Sequence, residues 1–177
     1  MPAIDQATVQ AFIDAGANAQ DTTAQGRALE DLICYVFEQV PGIVITRRNT
    51  TNVFHTEEVD VAFFNDAVPD GFSFLPNILL IEAKNWSTRV GSDEVAWFDT
   101  KIRHRGLSFG ILVTTQGVTG DPDSLTAAHS IVSAALKEQR RLIVITTTEL
   151  QALTDTAQLV KLLKTKLCDL TVRGTSL

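Results

Sequence analysis

Apolar positions along this chain recur with two different periods, and the change from one to the other lays out its elements. Leu29, Leu32, Ile33, Val36, Phe37 and Val40 fall on one helical face and predict a helix over 23–40. Thr22-x-x-Gln25 before it matches a capping box, and Pro41-Gly42 marks its end. Val9, Phe12 and Ile13 predict a shorter helix over 5–18. Three strand-like runs follow, "IVITRR" (43–48), "EVDVAFF" (58–64) and "NILLIEA" (77–83). The polar link "NTTNVFHTE" and the turn-rich link "NDAVPDGFSFLP" suit chain reversals, so an antiparallel meander is expected. A helix over 93–105 comes next, with Ser92 as N-cap, Asp93 and Glu94 in its positive first turn, and Val95, Phe98 and Ile102 as its buried stripe. The run "FGILVTT" (109–115) reads as a buried strand reached by a right-handed parallel crossover. A helix over 123–139 and the strand "LIVIT" (142–146) repeat that unit. Thr148-x-x-Gln151 then opens a last amphipathic helix, about 148–168, carrying Leu150, Leu153, Val160, Leu163 and Leu167. The order αα-βββ-α-β-α-β-α predicts an α/β fold, a mixed sheet flanked by helices, in one domain across 1–177.

Composition narrows the class. With 177 residues, 45% apolar and 20% charged, the chain can bury an ordinary globular core. The net charge of −6 argues against a tight, non-specific nucleic-acid binder acting alone, while leaving room for a local basic site. The basic groups Arg47-Arg48, Arg103-His104-Arg105 and Arg140-Arg141 read first as solvated element ends. Cys34 lies in a helical pattern and reads as a small buried hydrophobe; with Cys168 it has no metal-type spacing. No signal peptide and no apolar run of membrane-spanning length are seen, so a reducing cytoplasm and no membrane partner are expected. His55, His104 and His129 lack the spacing of a zinc site or triad, and "GVTGDPD" lacks the Lys-Ser/Thr of a phosphate loop. Phe72, Phe74 and Leu75 either form a partner surface or fold onto the domain.

The charges inside the strands change the picture most. Alternation puts Leu80, Glu82 and Lys84 on one face of their strand, and Glu58, Asp60 and Ala62 on one face of theirs. If the strands are neighbours, Asp60 lies beside Glu82. Two half-buried carboxylates repel, and desolvation penalises both. A hard divalent ion removes the conflict, and Mg²⁺ accepts a few carboxylates and carbonyls while keeping waters. The Ala83 backbone carbonyl is a candidate third ligand. Glu30 lies about 20° from Phe37 on the helical wheel, at the rim of the core, and adds a third acid. Gly26, one turn earlier, is expected to admit close approach of a backbone or ligand. The Lys84 ammonium suits the orientation of an attacking water and the offset of charge developing on a phosphoryl group. Acids, cation and lysine together describe a phosphodiester-hydrolysing site. The competing reading is a Glu82–Lys84 ion pair with a solvated Asp60. Glu58 is a further acid on the Asp60 face. Lys101 reads as a solvated helix-face lysine before it reads as a phosphate contact, and Trp86 reads as packing before it reads as a base-stacking platform.

The stretches "GRALEDLICYVFEQ", "EEVDVAFF", "LLIEAKNW", "VGSDEVAWFDTKIRHRG" and "FGILVTTQGVTG" resemble the PD-(D/E)xK, restriction endonuclease-like nucleases, and among them the Mrr-like branch. They span about 22–146, with Val59 where the family's nominal Pro would stand. The resemblance implies that Asp60 and Glu82 bind Mg²⁺, with Mn²⁺ as a substitute, and that Lys84 is the catalytic lysine. Glu30 is then an accessory acid reaching the metal through water. It implies an endonuclease acting on nucleic acid, with DNA the leading expectation, in restriction or anti-phage defence. A homodimer or a partner subunit is expected to supply specificity. A non-catalytic nucleic-acid- or partner-binding module of the same fold, and a junction resolvase, remain alternatives.

Overall fold

Two helices, α1 (Gln6–Ala17) and α2 (Thr22–Glu38), precede the sheet in the computed structural model, which describes residues 2–53, 55–84, 89–118 and 122–175. The α2 N-cap is Asp21, whose side chain accepts from Ala24 N at 2.7 Å, so the capping box expected at Thr22 and Gln25 is not used. A carboxylate is the stronger acceptor beside the positive helix end, and Thr22 is drawn into the first turn. Gly26 faces open space, with nothing within 4 Å of where a Cβ would stand, so among the described residues no other backbone approaches it.

The meander follows as β1 (Ile43–Thr51), β2 (Glu58–Asn65) and β3 (Ile78–Lys84), antiparallel throughout. Then come α3 (Ser92–His104), β4 (Phe109–Thr114), α4 (Pro122–Lys137) and β5 (Arg141–Thr146), with β4 and β5 added in parallel. The sheet order is β1-β2-β3-β4-β5, the mixed sheet flanked by helices that the pattern predicts. Gly91, with no side-chain bond, is the α3 N-cap in place of Ser92. The C-terminal helix divides into α5 (Thr147–Gln151) and α6 (Thr156–Arg173). Thr146 and Glu149 form the capping box of α5, and Asp155 caps α6. The break is filled by the N-terminus: Ile4 N donates to Thr154 O at 2.9 Å, and Thr156 N donates to Pro2 O at 3.0 Å.

The two faces of the sheet are covered by different helices. Phe37 of α2 stacks on Phe63 at 5.6 Å, so α2 lies over the face carrying Val61, Phe63, Leu79 and Ile81. On the other face, Gly110 pairs with Leu80 and lets α3 settle closely: a Cβ there would meet Ile102 at 2.7 Å and Phe98 at 2.8 Å. Phe72 and Leu75 are buried, and Asn65, buried itself, donates to the carbonyls of Phe72, Leu75 and Pro76. The aromatic loop therefore folds onto the domain. Cys34 is buried in the core, where desolvation pushes its thiol up to about 11. Among the described residues no helix is long and apolar enough to cross a membrane. Trp86 and the middle of "GVTGDPD" lie outside the described residues.

Candidate active site

The β2–β3 ladder runs from Phe64–Ile78 to Val61–Ile81 and stops. One step further, Asp60 would stand opposite Glu82. Instead the Asp60 carboxylate accepts the Ala83 N–H at 2.7 Å, taking the place of a ladder carbonyl. The strands therefore part at this point, with an acid filling the fork. Lys84 O, one residue on, accepts from Thr115 N on the β4 side at 3.3 Å. The N–H and C=O of one strand residue face the same edge, so the Ala83 carbonyl opens toward the fork.

Glu82, only 2% exposed, rises on the α3 face of the sheet. Its Oε1 lies 2.9 Å from Lys84 Nζ, and both its oxygens lie 2.8 Å from Lys101 Nζ. Lys101 is 5% exposed, so it is neither the solvated lysine nor the phosphate contact that the sequence offers. Burial, then the charge of Glu82, pushes the Asp60 carboxyl up to about 6 against the opposing pull of the Ala83 N–H and the two lysines. Burial draws Lys84 down, but the charge and hydrogen bond of Glu82, with Asp60 behind, hold it above its ordinary value. Asp60 is thus the under-compensated member of a two-acid, two-lysine group. Its reluctance to ionise, and the all-oxygen donor set of Asp60, Glu82 and the Ala83 carbonyl, fit a hard divalent cation. Among the described residues no group of three or more His, Cys, Asp or Glu side chains could hold a metal; two carboxylates suit an ion that keeps its waters.

A family model described as "Restriction endonuclease" matches residues 20–154. The chain belongs to the restriction endonuclease family. The match takes in α2 through α5 and all five strands, and leaves α1 and α6 outside. The restriction endonuclease core thus covers the whole span of the Mrr-like resemblance. No curated protein matches the chain. Membership places the chain in a family of nucleases.

Glu30 makes its bonds to β1. In this restriction endonuclease fold α2 covers the sheet face opposite Glu82, and Glu30 Oε2 accepts from Asn49 Nδ2 at 2.9 Å and Arg48 NH2 at 3.3 Å, both on β1. Among the described residues no hydrogen bond or ion pair joins it to Asp60 or Glu82. Glu58 is exposed at the start of β2. Sequence reasoning passed over Glu57, which is 6% exposed and pairs with Arg105 and with His104, whose Nδ1 lies 2.7 Å away. The His104 hydrogen bond, and then Arg105, hold Glu57 below the usual carboxylate range against its burial. Arg105 also donates to Lys101 O at 3.0 Å, tying the approach to Asp60 to the helix that carries Lys101. Nothing in the sequence marks Glu57. For Lys101 there is a signal: it stands three residues after Phe98 and one before Ile102, inside the apolar stripe of α3.

Proposed function

We propose that this protein is a Mg²⁺-dependent endonuclease that hydrolyses phosphodiester bonds in DNA, with Mn²⁺ as a substitute ion. The meeting of Asp60 and Glu82 at the β2–β3 fork, with Lys84 beside them, carries the reading. Asp60, Glu82 and the Ala83 carbonyl would hold the ion. Such an ion polarises the phosphate and lowers the pKa of water at neutral pH. Lys84 orients the attacking water and offsets negative charge as it grows on the non-bridging oxygens. Water attacks phosphorus in line with the leaving oxygen. The P–O bond opposite breaks, and the proton lost by the water is balanced by one gained by the leaving alkoxide. Family membership supports a restriction or anti-phage role in the cytoplasm. The net charge of −6 supports a second copy or a partner subunit that adds affinity.

Plasmid cleavage with Mg²⁺ or Mn²⁺ tests the assignment. Asp60→Ala and Lys84→Ala are expected to lose cleavage by roughly a hundredfold or more. Equal rates in wild type and both variants sink it. One observation favours a second reading, a non-catalytic binding module: Glu82 is already neutralised by two lysines. Calorimetry separates the two, because Mg²⁺ binding that Glu82→Ala abolishes belongs to the nuclease and not to the module.

A further inference from the structure

Two ammonium groups share one carboxylate at this site, and they are not equivalent. Lys101 Nζ spans both oxygens of Glu82 at 2.8 Å, whereas Lys84 Nζ lies 2.9 Å from Oε1. The Lys101 side chain is 7% exposed, and that of Lys84 is 23% exposed. Lys101 also stands on a braced element. Gly110 seats α3 against β4, and Arg140 grips Asp99 of α3 with two bonds, at 2.7 and 2.9 Å. Arg105 holds the Lys101 carbonyl and, through Glu57, the segment that leads into β2. Lys84 ends its strand on the more open side.

We infer that Lys101 is the fixed counter-charge of Glu82, a positioning residue that lets Lys84 turn from this carboxylate to the substrate phosphate. The inference rests on the nuclease reading above. A carboxylate as buried as Glu82 cannot give up its only cation without a large desolvation cost. With Lys101 spanning both oxygens, Glu82 stays compensated and aimed when Lys84 leaves Oε1. The lysine on the strand works on the phosphate, and the lysine on the helix keeps the acid in place.

Lys101→Met keeps the stem and removes the charge. Lys84 is then the ammonium that Glu82 retains, so kcat for DNA cleavage falls by roughly tenfold or more while KM stays within about threefold. Mg²⁺ affinity, read by calorimetry, stays level or tightens, because a positive charge has left the neighbourhood. Cleavage by Lys101→Met within about twofold of wild type overturns the inference. So does a loss of Mg²⁺ binding that parallels the loss of cleavage, since Lys101 would then be a plain support of the metal ligands. If circular dichroism shows Lys101→Met unfolded, Lys101→Arg decides, because it keeps the charge. Cleavage within about tenfold of wild type supports the inference, and cleavage lost in a folded, Mg²⁺-binding Lys101→Arg overturns it. Failure of the nuclease reading is separate: it shows in wild type alone, as absent Mg²⁺ binding and absent cleavage.

Discussion

At Asp60, burial and the Glu82 charge push the carboxyl from its ordinary 3.8 up to about 6. Between those values the folded chain holds a proton that the unfolded chain releases. Stability therefore falls as pH rises from about 4 through about 6, by on the order of 1–3 kcal/mol from this group. In EDTA, Asp60→Asn should flatten that part of the profile, with the Tm of the two proteins converging near pH 4 and the variant ahead at pH 7. Mg²⁺ should restore wild type, raising its Tm more at pH 7.5 than at pH 5, because at the lower pH the ion must displace a proton. A wild-type profile parallel to that of Asp60→Asn would remove Asp60 from this role. Asp60, Glu82 and Lys84 were legible in the sequence because strand alternation alone puts each on a definite face. Glu30 is less legible, because a helical wheel gives the edge of a stripe but not which strand the side chain will meet; it bonds Arg48 and Asn49 of β1. Lys101 is harder to read, because a lysine on a helix is usually solvated, although its place inside the α3 stripe marks it for burial.

Among the elements, α3 matters most to the site, and its closeness to the sheet depends on Gly110. Gly110→Ala would press a methyl against Ile102 and Phe98, both buried. The expected cost is about 1–3 kcal/mol in a urea titration, as for other overpacked cores. Because the shift moves the helix that carries Lys101, cleavage should fall by more than the stability loss alone explains at a temperature where the variant is fully folded. Unchanged cleavage in such a variant would mean that the site tolerates the displacement. Strands, their order and the crossovers were legible because each apolar run is long and bounded by turn residues. Helix starts were less so. Asp21 stands next to Thr22 and Gly91 next to Ser92, so candidate caps adjoin, and the path of the entering chain chooses between them. The break between α5 and α6 depends on pairing with residues 2–4, more than 140 positions away, which no local pattern reveals.

Over the whole molecule, charge limits how nucleic acid can be held. At least one member of each basic group is committed to an acid: Arg48 to Asp31, Arg105 to Glu57, and Arg140 to Asp99. With a net charge of −6 besides, the excess of acids opposes a broad phosphate-binding face. The isolated chain should therefore lose only about tenfold in duplex affinity between 50 and 200 mM salt, the dependence of about two phosphate contacts. Fluorescence anisotropy reads this directly. A loss of a thousandfold would point instead to a broad basic face and to binding without help.

The Ala83 N–H, turned into the Asp60 carboxylate where the ladder stops, makes one backbone amide a reporter of the site. Its proton resonance should move as Asp60 gains or loses charge and again as a cation arrives, while amides in the middle of β3 stay still. A single nitrogen-15 label at Ala83 would then follow the occupancy of the site in solution, without substrate and without turnover.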